Sequence, residues 1–80
     1  MKQWFSGQLV AIKDTMQITA GNVSAVYTHN LGYAPWVGKT ELDDLGGAYS
    51  WVDTVTATQF TLHVSSPDPV NNHTFGIILV

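Results

Sequence analysis

Eighty residues make one domain and leave no room for a second. Three Lys+Arg against six Asp+Glu give a formal net charge of −3. The basic residues Lys2, Lys13 and Lys39 are scattered and form no stripe that could neutralise a phosphate backbone, which excludes nucleic-acid binding. The chain has no cysteine, which excludes disulfides and thiolate metal sites.

A chain this short buries only roughly 60–65% of its unfolded surface, so small domains without staples often rely on oligomerisation. Charged residues make up 11% of the sequence, against roughly 25% for an ordinary soluble domain. Thr, Ser, Asn, Gln and Gly fill the deficit. Interface cores are depleted in charge and enriched in Trp, Tyr, Phe and Met. A homo-oligomer or a larger assembly is therefore expected; the alternative is a monomer with a polar, uncharged surface. The interrupted N-terminus MKQWFSGQLVAIK lacks the h-region of a signal peptide. No stretch approaches the roughly 20 apolar residues of a membrane span. A soluble chain without a readable export signal is expected.

Proline, glycine and Asn/Asp punctuation cuts the sequence into short pieces rich in β-branched and aromatic residues. Residues 1–7 are expected to form an arm ahead of a single domain over 8–80. Gln8 to Lys13 is predicted as the first strand, Asp14-Thr15 as a turn, and Met16 to Thr19 as a strand returning on it. Ala20-Gly21-Asn22 is a second turn, because Gly and Asn tolerate positive φ. Val23 to His29 is a third strand of mixed pattern. Asn30 to Pro35 is a loop, and Trp36 to Glu41 a fourth strand.

Leu42 to Ala48 holds Asp-Asp and Gly-Gly and reads as a loop; Tyr49 to Val52 is a fifth strand. Val55 to Val64 has the clearest period of two, with Phe60, Leu62 and Val64 on one face and Thr61 and His63 on the other. Ser65 to Asn72 is irregular. Phe75 to Val80 is almost wholly apolar, so both of its faces are expected to be covered. The whole reads as all-β, a small antiparallel β-sandwich of six or seven strands.

No constellation for catalysis stands out. His29, His63 and His73 share no helical i, i+4 or strand i, i+2 spacing, so they are read as structural and no metal or other cofactor is expected. Glu41, Asp43 and Asp44 lack the spacing of an EF-hand loop and read as a solvated loop tip, with a loose Ca²⁺ site as the alternative. Nothing sets Asp53 or Asp68 opposite a second acid, as a glycosidase needs. There is no G-x-S-x-G elbow. Asn22-Val23-Ser24 and Asn72-His73-Thr74 match a glycosylation sequon, which short chains contain by chance.

Aromatic residues carry more. Trp36 and Trp51 are assigned to the core, since a small sandwich needs bulk between its sheets. Tyr33 and Tyr49 are expected at the surface. Trp4 and Phe5 lie in the arm, where two adjacent aromatics are expected to dock on the body or on a neighbour.

Several segments together carry a resemblance. They are Val26-Tyr27-Thr28-His29, Gly32-Tyr33-Ala34-Pro35, Ser50-Trp51-Val52, Thr58 to Val64 and Phe75 to Val80. In this order they resemble small β-sandwich modules of tailed phages and prophages, and the layout is similar to H-type lectins. The resemblance covers roughly residues 16–80. It implies a homo-oligomer, with a trimer expected, and a non-enzymatic virion protein. A capsid decoration (cement) protein or a small tail or neck appendage fits a chain too short for a fibre shaft.

Its partners would be itself and other virion proteins such as the major capsid protein. It would reside in the virion, and in the host cytoplasm during assembly. Trp4, Phe5, Tyr33 and Pro35 are the expected protein-interface residues. The alternative implied is a lectin-like module binding a cell-surface glycan, with Tyr33, Tyr49, Trp51, Asp43, Asp44 and Asn72 as sugar contacts. The sequence departs from lectin-type members where Gly76-Ile77-Ile78 stands in place of a Trp in the last strand.

Overall fold

The computed structural model describes residues 11–80. Six strands follow in chain order: β1 (Ile12–Ile18), β2 (Ser24–Thr28), β3 (Val37–Glu41), β4 (Ser50–Asp53), β5 (Gln59–Val64) and β6 (His73–Leu79). They form two antiparallel three-stranded sheets, sheet A in the order β1-β6-β3 and sheet B in the order β2-β5-β4. The protein is all-β, a small β-sandwich.

Side-chain alternation explains why β5 and β6 are the central strands. Phe60, Leu62 and Val64 of β5 are buried, as are Phe75, Ile77 and Leu79 of β6, at 2% exposure or less. Successive residues of a strand point to opposite faces, so each strand commits one row to the space between the sheets. Ile18 joins this core from β1, and Met16, Ala25, Tyr27, Val37 and Val52 pack around it from the four edge strands.

Hydrogen bonds tie both open sides of the sandwich. On one side the Tyr27 hydroxyl of β2 donates to Oδ2 of Asp14 in β1 at 2.6 Å. On the other the Ser50 hydroxyl of β4 donates to Oε2 of Glu41 in β3 at 2.7 Å. The Lys39 ammonium lies 3.7 Å from the same Glu41 oxygen.

Three expectations are corrected. Asp14-Thr15 is no turn: β1 runs straight through it, paired along its length with β6 from Ile12↔Leu79 to Ile18↔His73. Asp14 satisfies its carboxylate within the strand by accepting from the Thr15 N–H at 2.8 Å and from Tyr27. The last strand is covered on one face only, since Ile78 is 43% exposed on the other. Trp36 is not in the core: it is 84% exposed, because Val37 points inward and alternation turns Trp36 outward. The expected arm 1–7, with Trp4 and Phe5, and the strand portion 8–10 lie outside the described residues.

Gly21 has φ +86° in the turn after β1, where a side chain would be strained. Its N–H donates to the Asp68 carbonyl at 2.7 Å, pinning that turn to the loop before β6.

Candidate binding surfaces

Both sheets turn a row of large side chains outward. On sheet B the register sets Trp51 of β4 opposite His63 of β5. Their rings stack at 5.1 Å with an interplanar angle of 12°, and Tyr49 flanks Trp51 at 5.5 Å. His63 Nε2 lies 2.8 Å from Oδ1 of Asp53. That contact, more than any other, holds the Asp53 carboxyl below its ordinary 3.8. The result is a strip of three rings ending in a carboxylate, with Tyr49 67% and Trp51 38% exposed.

Thr54, next to Asp53, has φ +53°. A β-branched residue in the left-handed region is strained, and such strain concentrates where a backbone is held for a purpose. The Thr54 hydroxyl donates to Asp53 Oδ1 at 3.1 Å.

The outer face of sheet A is built differently. Trp36 exchanges two 3.0 Å backbone hydrogen bonds with Val80, which extends the β3–β6 ladder by one pair. Gly38 then stands opposite Ile78, and Thr40 opposite Gly76. The two glycines open a groove of about 360 Å³, which is also lined by Lys13, Asp14, Lys39, Thr40, Ile77 and Ile78. Trp36, Leu42 and Ile78 give this face an apolar character that a solvated sheet face lacks.

Several residues expected at a ligand site serve the fold instead. Asp43 turns both oxygens to the start of β6: one lies 3.0 Å from Nδ1 of buried His73, and the other accepts from the Thr74 N–H at 3.0 Å. The other His73 nitrogen, Nε2, lies 3.5 Å from Asp68. Asp68 in turn accepts from the N–H groups of Asn71 and Val70, which hold its carboxyl below its ordinary 3.8. Asp44 accepts from the Gly46 N–H at 2.7 Å, and Asn72 accepts from the Ala20 N–H at 2.8 Å.

His29 also works locally. Its Nε2 lies 3.1 Å from the Thr56 carbonyl and its Nδ1 accepts from the Leu31 N–H at 3.0 Å. The carbonyl partner requires the proton on Nε2. Among the described residues, no three His, Cys, Asp or Glu side chains converge as a metal site. Asp43 and Asp68 face opposite nitrogens of His73 and so do not share a centre.

Of the expected surface aromatics, Tyr33 is 51% exposed, but the ring contacts of the strip join Tyr49, Trp51 and His63 without it. Pro35 is buried and offers little surface to a partner. Sequence reasoning missed Asp53 and His63 as a pair. Their meeting depends on cross-strand register, although Thr61 and His63 were read as sharing the face opposite Phe60, Leu62 and Val64.

Comparison with protein-family models, with curated proteins and with solved structures finds no match to this chain.

Proposed function

We propose that this chain is a non-enzymatic virion accessory protein, a capsid decoration protein or a small tail or neck appendage, that works by protein–protein assembly. The observation that carries the reading is the outer face of sheet A, where Trp36 is 84% exposed and Ile78 and Leu42 are exposed as well. A tryptophan this exposed at the start of a strand is a poor solvent surface and a strong anchor, because Trp is enriched in binding hot spots. The low charge content supports the same reading, and the resemblance to phage β-sandwich modules supplies the particle.

Particles assembled without this chain should take it up from solution and carry it through sedimentation. The Trp36→Ala variant should sediment with them at least tenfold less. Equal uptake of the variant, or no uptake of the natural chain, contradicts the reading.

The strip on sheet B favours a second reading, a glycan-binding module. Aromatic faces stack on the apolar faces of sugar rings, and the Asp53 carboxylate is an acceptor for a hydroxyl at the end of the strip. Saturable binding on a glycan array, lost in Tyr49→Ala and Trp51→Ala, supports it. An array without signal removes it.

A further inference from the structure

We infer that His73 is a pH-operated latch. With two ring protons it holds the loops on both sides of it. On losing the Nε2 proton it lets go of Asp68 and frees loop 65–72. The latch closes one end of the sandwich and does not depend on what either outer sheet face binds.

Geometry around the ring sets the proton count. Buried His73 stands between two carboxylates, with Nδ1 3.0 Å from Asp43 Oδ1 and Nε2 3.5 Å from Asp68 Oδ2. Asp43 comes from the loop after β3 and Asp68 from the loop before β6. From β1 the paired residue is Ile18, which carries no charge. Among the described residues, no other acid pairs with this ring. An ionised carboxylate only accepts, and an imidazole donates from both nitrogens only as the cation. Burial by itself favours the neutral ring, but a charge paired on both sides offsets that cost.

A neutral ring keeps one proton. It stays on Nδ1, where the contact is shorter and Asp43 is fixed independently, its second oxygen accepting from the Thr74 N–H at 3.0 Å. Nε2 then turns a lone pair toward Asp68 Oδ2, and two acceptors repel. Asp68 is the joint of its loop. Its Oδ1 accepts from the N–H groups of Val70 and Asn71, and its carbonyl accepts from the Gly21 N–H. Displacing Asp68 therefore loosens loop 65–72 from β6 and from the turn after β1. Histidine is the side chain that changes charge near neutrality. The loop is held while the ring is charged and is released as pH rises through the His73 titration.

NMR of the full chain tests this. Nitrogen-15 spectra of the imidazoles read the ring protons, and hydrogen exchange of the Val70 and Asn71 amides reads the loop. The neutral ring should carry its proton on Nδ1. Exchange, corrected for the intrinsic rate of a free peptide, should quicken about tenfold as His73 deprotonates. Asp68→Asn keeps an oxygen for the Val70 and Asn71 N–H groups and offers an amide donor to the unprotonated Nε2. In that variant the loop should stay protected over the same pH range, and His73 should titrate at lower pH. His73→Gln does not titrate and should show no step, which keeps the test decisive if Asp68→Asn fails to fold. A neutral ring protonated on Nε2, exchange without a step at the His73 titration, or a step that persists in either folded variant overturns the latch.

Discussion

Asp14 and Tyr27 join the two sheets through a single hydrogen bond of 2.6 Å, and the contact shifts both groups in opposite directions. The hydroxyl holds the Asp14 carboxyl below its ordinary 3.8, helped by the Thr15 N–H. The same carboxylate holds the Tyr27 phenol above its ordinary 10.0. A lowered carboxyl stabilises the fold above its unfolded value and loses that contribution as pH falls through the folded value. A raised phenol contributes below its unfolded value and loses it as pH rises through the folded value. The pair therefore supports the fold fully between about 3.8 and 10.0 and weakens at both ends. Tyr27→Phe should lower the melting temperature at neutral pH. Its difference from the natural chain should shrink as the solution is acidified below 3.8. Carboxyl NMR should show the Asp14 titration moving part of the way up, because Thr15 still donates. An unmoved Asp14 titration contradicts the link.

Asp43 and His73 close the end of the sandwich where the loop after β3 meets the start of β6. Asp43→Ala leaves the buried His73 Nδ1 and the Thr74 N–H without their acceptor. Denaturant unfolding should show a loss of about 1–3 kcal/mol. Asp44→Ala, at a neighbouring position whose carboxylate caps only the Gly46 N–H, should cost less. Equal costs for the two would show that the His73 contact contributes nothing.

Phe60 and Phe75 are fully buried in facing sheets. Either one changed to Ala should cost about 3–5 kcal/mol through lost burial and a residual cavity. A domain of this size has roughly 4–12 kcal/mol in total. Urea titration should find each variant marginal or unfolded at 37 °C. A loss below about 1 kcal/mol at either position would mean that the sheets do not pack through these rings.

Thr54 stores strain at φ +53°. A left-handed conformation costs roughly 1–2 kcal/mol, and glycine relieves it at an entropic cost of about 0.5–1 kcal/mol. Thr54→Gly should therefore raise the melting temperature slightly, for a net gain of up to about 1.5 kcal/mol. A lowered melting temperature would show that the Thr54 hydroxyl bond to Asp53 outweighs the strain.

The central strands were legible because their inward rows alternate without interruption. Phe60, Leu62 and Val64 read as one face, and all three are buried. β1 was not legible, because Asp14-Thr15 carries turn chemistry by residue type. Here that chemistry is spent on the Thr15 N–H and on Tyr27, a partner thirteen residues away that sequence spacing does not reveal.

Trp36 and Trp51 looked like core because bulk suits an interior. Their direction is set by neighbours: Val37 and Val52 point inward, so each tryptophan before them points out. The apolar run of β6 led to the expectation that both faces are covered; the strand is central in its sheet, yet its even positions Gly76 and Ile78 open onto the groove face. Trp36 thereby stands on the outer face of sheet A, and Trp51 in the ring strip of sheet B.

The copy number of this chain in purified particles, measured by quantitative mass spectrometry, decides whether it is a virion component. Its peptides should persist through density-gradient purification at a fixed ratio to a major structural protein. Loss of the chain from the particles during purification would contradict a virion assembly role.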